Sequence, residues 1–150
     1  MLRLPAIIGL MALEILGVTG APAAEADAVT ITNSGSTNRA GFRIIVDQAG
    51  SAEFTALPRK FGQPQENAKS IRRVIPRASV ERLRADLKAA KPLALLPAIQ
   101  CMKSASFGST LTVALGGEQT PDLSCGDGGN ASMRNLARDV SEIIALFQSN

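Results

Sequence analysis

The stretch CMKSASFGS, residues 101–109, places a cysteine, a lysine and several hydroxyl groups close together in the chain. Such a set raises the question of a Ser-Lys dyad, in which a neutral lysine takes the proton of a nucleophilic serine. Lys103 directly precedes Ser104, however, and neighbouring side chains of an extended segment point to opposite sides. The sequence also lacks the S-x-x-K and G-x-S-x-G patterns of serine hydrolases. The spacing therefore disfavours nucleophilic catalysis here.

A second polar group, Asp122, Asp127 and Asn130, was compared with a calcium-binding loop. It lacks the alternating oxygen ligands and the terminal glutamate of an EF-hand. Asp127-Gly128-Gly129 is instead typical of a turn, and Asn130 is a suitable N-cap for a helix. The chain contains no histidine, which excludes His-ligated zinc and every catalytic arrangement that uses an imidazole. We therefore predict neither a metal ion nor another cofactor.

The amino terminus has the features of a secretory signal peptide. Arg3 precedes an apolar run, Ala6 to Leu13, and alanines in A-x-A-like spacing follow from Ala21 to Ala28. The apolar run is far shorter than the ~18 residues of a membrane span, and the alternative is a buried amino-terminal helix. We predict a signal peptide over residues 1–24 and one mature domain over residues 25–150, located in the periplasm or secreted, without a transmembrane segment.

Cys101 and Cys125 are the only two cysteines. An even number of cysteines in an exported chain indicates a disulfide, because the compartment is oxidising. A catalytic redox pair usually has the spacing C-x-x-C, which these residues do not have. The sequence therefore predicts a structural disulfide between Cys101 and Cys125.

The hydrophobic pattern predicts strands, then a helix, then strands, then a helix. Alternation of apolar and polar residues, as in Ser109 to Leu115, is typical of a half-buried strand. The turn Asp47-Gln48-Ala49-Gly50 between two apolar runs predicts a hairpin. We predict an α+β two-layer sandwich, with an antiparallel sheet and both helices on one face. The predicted strands are 29–32, 41–46, 52–56, 69–75, 109–115 and 118–124, and the helices lie between Pro76 and Ala90 and after Asn130.

Basic residues are concentrated between Arg59 and Lys91, where ten lysines and arginines accompany only three carboxylates. One interpretation is a solvated helix face with ion pairs such as Arg82 with Asp86. The other is a surface for an anionic partner. Nucleic acid is not an expected partner, because the chain is exported and has no Tyr or Trp for base stacking. The candidate binding residues are Arg72, Arg73, Arg77, Arg82 and Arg84.

CMKSASFGS, followed by TPDLSC and a closing amphipathic helix, resembles a group of small exported bacterial proteins without an assigned function. The resemblance spans residues 42–147 and is most specific from Cys101 to Cys125. It implies the paired cysteines and the order of strands and helices, and it implies no activity or ligand.

Two classes of function remain after these exclusions. The favoured hypothesis is an exported, non-enzymatic module that binds a protein, a glycan or an anionic surface in the cell envelope. The alternative is a small envelope hydrolase or an enzyme inhibitor that uses the loops Lys103–Ser109 and Asp122–Asn130. A concave pocket joining Lys103, a serine and an aspartate would favour the enzyme, whereas a flat basic face would favour binding.

Overall fold

A computed structural model describes residues 27–58, 70–104, 106–126 and 129–149. The predicted signal peptide, residues 59–69 and Asp127 lie outside these ranges. The strands are β1 (Val29–Asn33), β2 (Phe42–Val46), β3 (Ser51–Ala56), β4 (Ser70–Val74), β5 (Leu111–Leu115) and β6 (Glu118–Gln119). The helices are α1 (Arg77–Ala89) and α2 (Ala131–Gln148), and a short 3-10 helix spans Leu93–Leu95.

The six strands form one antiparallel sheet in the order β4-β3-β2-β1-β5-β6. Strands β1 to β4 are a meander, in which each strand pairs with the next along the chain. Strand β5 enters the sheet after α1 and pairs with the free side of β1, so that Ile31 lies opposite Val113. The first strand of the sequence is therefore in the interior of the sheet.

Side chains alternate between the two faces of the sheet, as the two-residue period of a strand requires. Val29 and Ile31 of β1 are fully buried on the helix side, as are Ile44 and Val46 of β2. Thr30 and Thr32 face the opposite side with Arg43 and Ile45. One face of an antiparallel sheet commonly remains open to water, and we call this side the open face.

Both helices pack on the inner face and against each other. Val80, Leu83 and Leu87 of α1 are buried at helical spacing. In α2 the Asn130 side chain accepts a 3.0 Å hydrogen bond from the backbone N–H of Met133, which makes it the predicted N-cap. The predicted α+β sandwich is confirmed. None of the helices within the described ranges is long and apolar enough to cross a membrane.

The disulfide between Cys101 and Cys125 is confirmed, with a Cα–Cα distance of 5.8 Å. The return strand β6 is shorter than the predicted 118–124. Pro121 has no N–H for the ladder, and the Thr120 and Asp122 side chains accept hydrogen bonds from the N–H groups of Val113 and Leu111 at 3.0 and 2.9 Å. Side chains thus replace backbone carbonyls as acceptors over this part of the hairpin.

Candidate functional site

The candidate binding arginines Arg72 and Arg73 lie on opposite faces of the sheet, because they are consecutive in β4. Arg72 is on the open face and forms a 2.9 Å ion pair with Glu53. Arg73 lies over the ring of Phe147, with its guanidinium carbon 5.8 Å from the ring centroid. The two side chains therefore lie on opposite sides of β4.

The other three candidates are on or beside α1, and each has a partner within the chain. Arg77 pairs with Glu81 one turn later, at 2.7 Å. Arg84 donates a 2.7 Å hydrogen bond to the backbone carbonyl of Asp27. Arg82 bonds Asp139 and Glu142 of α2 rather than Asp86 of its own helix. The structure thus does not gather the five arginines into one basic surface.

Lys103 lies at the centre of a polar cluster beside the disulfide. Its ammonium group donates hydrogen bonds to the carbonyl of Ser109 at 2.8 Å and to the hydroxyl of Ser124 at 2.7 Å. It also forms an ion pair with Asp122. These three bonds use all three N–H groups of the ammonium. Lysine, serine and aspartate do come together here, although the serine is Ser124 and not the adjacent Ser104.

The carboxylate of Asp122 determines what this cluster can do chemically. Burial favours its neutral form, but the Lys103 hydrogen bond and the N–H groups of Leu111 and Ser124 outweigh burial and hold the pKa of Asp122 below its ordinary value. Through these contacts, Lys103 links the residues after Cys101 to the residues before Cys125. The cluster is therefore a clamp that joins the two ends of the disulfide-bonded segment. We call it the lysine clamp.

A groove of about 450 Å³ lies between the beginning of β5, the segment around Cys125 and the first half of α2. Its floor is apolar, since Leu111 and Leu123 are almost fully buried and Ala137 is half-buried. Ser124 belongs to both the groove and the lysine clamp. We call this feature the α2 groove; it is lined by Leu111, Leu123, Ser124, Gly126, Arg134, Ala137, Arg138 and Ser141.

Two arginines, Arg134 and Arg138, give the α2 groove its charge. They are four positions apart on α2, which places them on the same side of the helix. Arg134 donates a hydrogen bond to the carbonyl of Gly129. The Arg138 side chain is 54% exposed and donates a 3.2 Å hydrogen bond to Asp139. Among the described residues that line the groove there is no carboxylate; Asp127, which follows Gly126 in the chain, lies outside the described ranges.

Arg134 and Arg138 are not among the binding residues that the sequence predicts. Acidic residues follow them in α2 at Asp139 and Glu142, so no run of like charge marks this helix. The one sequence feature that points to them is their four-residue spacing within the helix that has the clearest apolar stripe. Only the folded chain shows that this side of α2 faces the segment around Cys125.

Two carboxyl groups meet where α1 packs on α2. The Asp139 side chain is completely buried, and neither its Oδ2 atom nor Oδ2 of Asp86 has a hydrogen-bond partner. Burial raises the pKa of Asp86, and the contact with Asp139 raises it further. Within the described ranges, no three side chains of the metal-binding types form a group that could hold a metal ion.

The open face of the sheet carries two further depressions that share Ile45. One of about 360 Å³ is lined mainly by Thr30, Thr32 and Arg43, and one of about 220 Å³ is lined mainly by Glu53 and Arg72. Threonines and an Arg–Glu pair are typical of a solvent-facing strand surface. The larger depression has one charged side chain among its described lining residues, Arg43, and the smaller one has two carboxylates, Asp47 and Glu53, beside Arg72. Neither therefore presents two positive charges, as the α2 groove does.

Comparisons with known proteins do not supply a function. The chain matches no protein-family model, and no significant match was found among curated proteins. The resemblance to small exported bacterial proteins therefore stays a prediction, and function is inferred from the geometry of this chain.

Proposed function

We propose that the protein is an exported, non-enzymatic module that binds an anionic partner of the cell envelope in the α2 groove. The observation that carries the proposal is the position of Arg134 and Arg138 above an apolar floor, with no carboxylate among the described residues that line the groove. A partner with a negatively charged group and an adjoining apolar part complements both features.

The chemistry of the two arginines supports an oxyanion as the charged group. A guanidinium presents its N–H donors in a planar fork that fits carboxylate, sulfonate or phosphate oxygens, and such charge-assisted bonds are among the stronger ones in proteins. The floor formed by Leu111, Leu123 and Ala137 excludes water from one side of the groove. Ligand sites of this kind combine an apolar lining with a few placed polar groups.

Export is supported by the disulfide and by the amino-terminal sequence. A disulfide between Cys101 and Cys125 persists in the periplasm or outside the cell, where thiols are not kept reduced. The periplasmic or secreted location is part of the proposal.

A non-enzymatic role is supported by the lysine clamp. Lys103 donates hydrogen bonds to Ser109, Asp122 and Ser124, which is the arrangement of a structural crosslink between two segments. We therefore favour binding over a hydrolase built on these two loops.

The proposal is tested with a matched pair of probes, hexanesulfonate and hexanol, which share an apolar chain and differ in charge. Titration calorimetry should show that hexanesulfonate binds and that hexanol binds at least about tenfold more weakly, as expected when a charge-assisted hydrogen bond worth ~1.5–3 kcal/mol is lost. Affinity for hexanesulfonate should fall as salt is added.

Arg134→Gln should weaken the binding of hexanesulfonate about tenfold, because it removes a charge-assisted hydrogen bond. The matched control is Arg77→Gln, because Arg77 is an exposed arginine in α1 that pairs with Glu81 and does not line the α2 groove. Equal affinities of the wild type and Arg134→Gln, or equal binding of hexanol and hexanesulfonate, would contradict the proposal.

A further inference from the structure

The two carboxyl groups between the helices, those of Asp86 of α1, whose side chain is 25% exposed, and of the buried Asp139 of α2, are not used by the proposed binding function. Their Oδ2 atoms are both buried, and no hydrogen-bond donor reaches either one. Two carboxylates at close range do not both ionise readily, and one proton shared between them satisfies an oxygen of each. The two unpartnered oxygens are the expected positions for that proton.

All the charged groups that the structure places around this pair come from the two helices. Arg82 of α1 donates a 2.8 Å hydrogen bond to Oδ1 of Asp139, and its other end pairs with Glu142. Arg138 of α2 has a guanidinium nitrogen 3.2 Å from Oδ1 of Asp139 and 3.9 Å from Oδ2 of Asp86. With the shared proton in place, the two arginines balance Asp139 and Glu142. Without it, the group has one unbalanced negative charge.

Arg138 connects this pair to the α2 groove. The same side chain faces both carboxyl groups and lines the groove, and it is more than half exposed. An added negative charge at Asp86, 3.9 Å away, attracts the guanidinium toward the helices and repels an anion in the groove.

We propose that a proton shared by Asp86 and Asp139 strengthens the binding of anions in the α2 groove, and that Arg138 transmits the effect. The inference rests on the proposed function, since it concerns the same groove. By thermodynamic reciprocity, an anion bound beside Arg138 must also favour uptake of the proton. A carboxyl pair with a purely structural role would make stability depend on pH and would leave the affinity of the groove unchanged.

The experiment measures the affinity for hexanesulfonate between about pH 8 and about pH 4, near the ordinary aspartate pKa of ~3.9. A sulfonate stays ionised over this range, so any change belongs to the protein. Affinity should rise by at least about fivefold as the pH falls, the lower end of typical coupling between sites. In Asp86→Asn the affinity should stay at the high, acid-like level throughout, because asparagine is neutral and its amide can donate to Asp139. Glu81→Gln, an exposed carboxylate outside the pair, should keep the wild-type pH dependence.

A second measurement requires no variant and follows the carboxyl carbon of Asp86 by NMR. Saturating hexanesulfonate should raise the pKa of Asp86 further, as reciprocity demands. Suppose that hexanesulfonate binds and Arg134→Gln weakens its binding, but the affinity does not depend on pH and hexanesulfonate does not change the pKa of Asp86. The proton coupling is then wrong and the proposed function stands. If hexanesulfonate does not bind at any pH, both are wrong.

Discussion

Lys103 and Ser124, 21 positions apart in the chain, are joined by a 2.7 Å hydrogen bond from the lysine ammonium to the serine hydroxyl. The bond completes a set of three from Lys103, which fixes the segment after Cys101 to the segment before Cys125. Ser124 also lines the α2 groove, so the lysine clamp and the groove share a residue.

The disulfide should contribute much of the stability of the domain. Replacing both Cys101 and Cys125 with Ala should lower the free energy of unfolding by about 2–5 kcal/mol, the usual effect of losing a native disulfide from a small secreted domain. Thiol titration of the native protein should detect no free cysteine before reduction. Two reactive thiols in protein purified from an oxidising compartment would contradict the account of this segment.

Lys103→Met should destabilise the protein by about 1–3 kcal/mol, because Asp122 loses its cationic partner in a partly buried position. Denaturant unfolding measures the effect. Lys88→Met is the matched control, since Lys88 is an exposed lysine in α1, and it should change stability by no more than about 0.5 kcal/mol. Equal effects of the two substitutions would show that the lysine clamp adds nothing to stability.

The clamp should also respond to acid in a defined direction. The folded-state pKa of Asp122 is lowered, so the stabilisation is present above the ordinary aspartate pKa of ~3.9 and is lost as the pH falls through the folded-state value. Wild type and Asp122→Asn should therefore differ most near neutral pH and converge in acid. A difference that stays constant down to the lowest pH at which the protein folds would contradict this.

Asp86 should have the opposite dependence. Its folded-state pKa is raised, so its contribution to stability is fully present below the ordinary aspartate pKa and is lost as the pH rises through the folded-state value. Asp86→Asn should remove this loss and be at least as stable as the wild type at neutral pH. Unfolding curves collected across the pH range test the prediction, and a variant that is less stable than wild type at neutral pH but not in acid would overturn it.

The fold was largely predictable from local patterns. Alternation in β5 and the apolar stripe of α2 indicate their element types directly, because one face of each must be buried. The end of β6 was not predictable in the same way, since it depends on the Thr120 and Asp122 side chains taking the place of backbone acceptors.

The candidate site was harder to predict, because its residues come together only through tertiary packing. Strand alternation alone places Arg72 and Arg73 on different faces of the sheet, so neighbours in the sequence are not neighbours on the surface here. Arg134 and Arg138, in contrast, lie on the same side of α2, although the sequence of this helix contains both acidic and basic residues. Nothing in the sequence relates Asp86 to Asp139, since their contact depends on how α1 packs on α2.

The most direct test of the account is the location of a bound anion. Backbone NMR spectra of the mature protein should be recorded with increasing hexanesulfonate, and the perturbed amide signals assigned. We predict saturable changes that centre on Leu123, Arg134, Ala137 and Arg138, with the same set much weaker in Arg134→Gln. Changes that centre instead on Arg43 and Arg72 of the open face, or on Arg77 and Arg84 of α1, would contradict an anion site in the α2 groove.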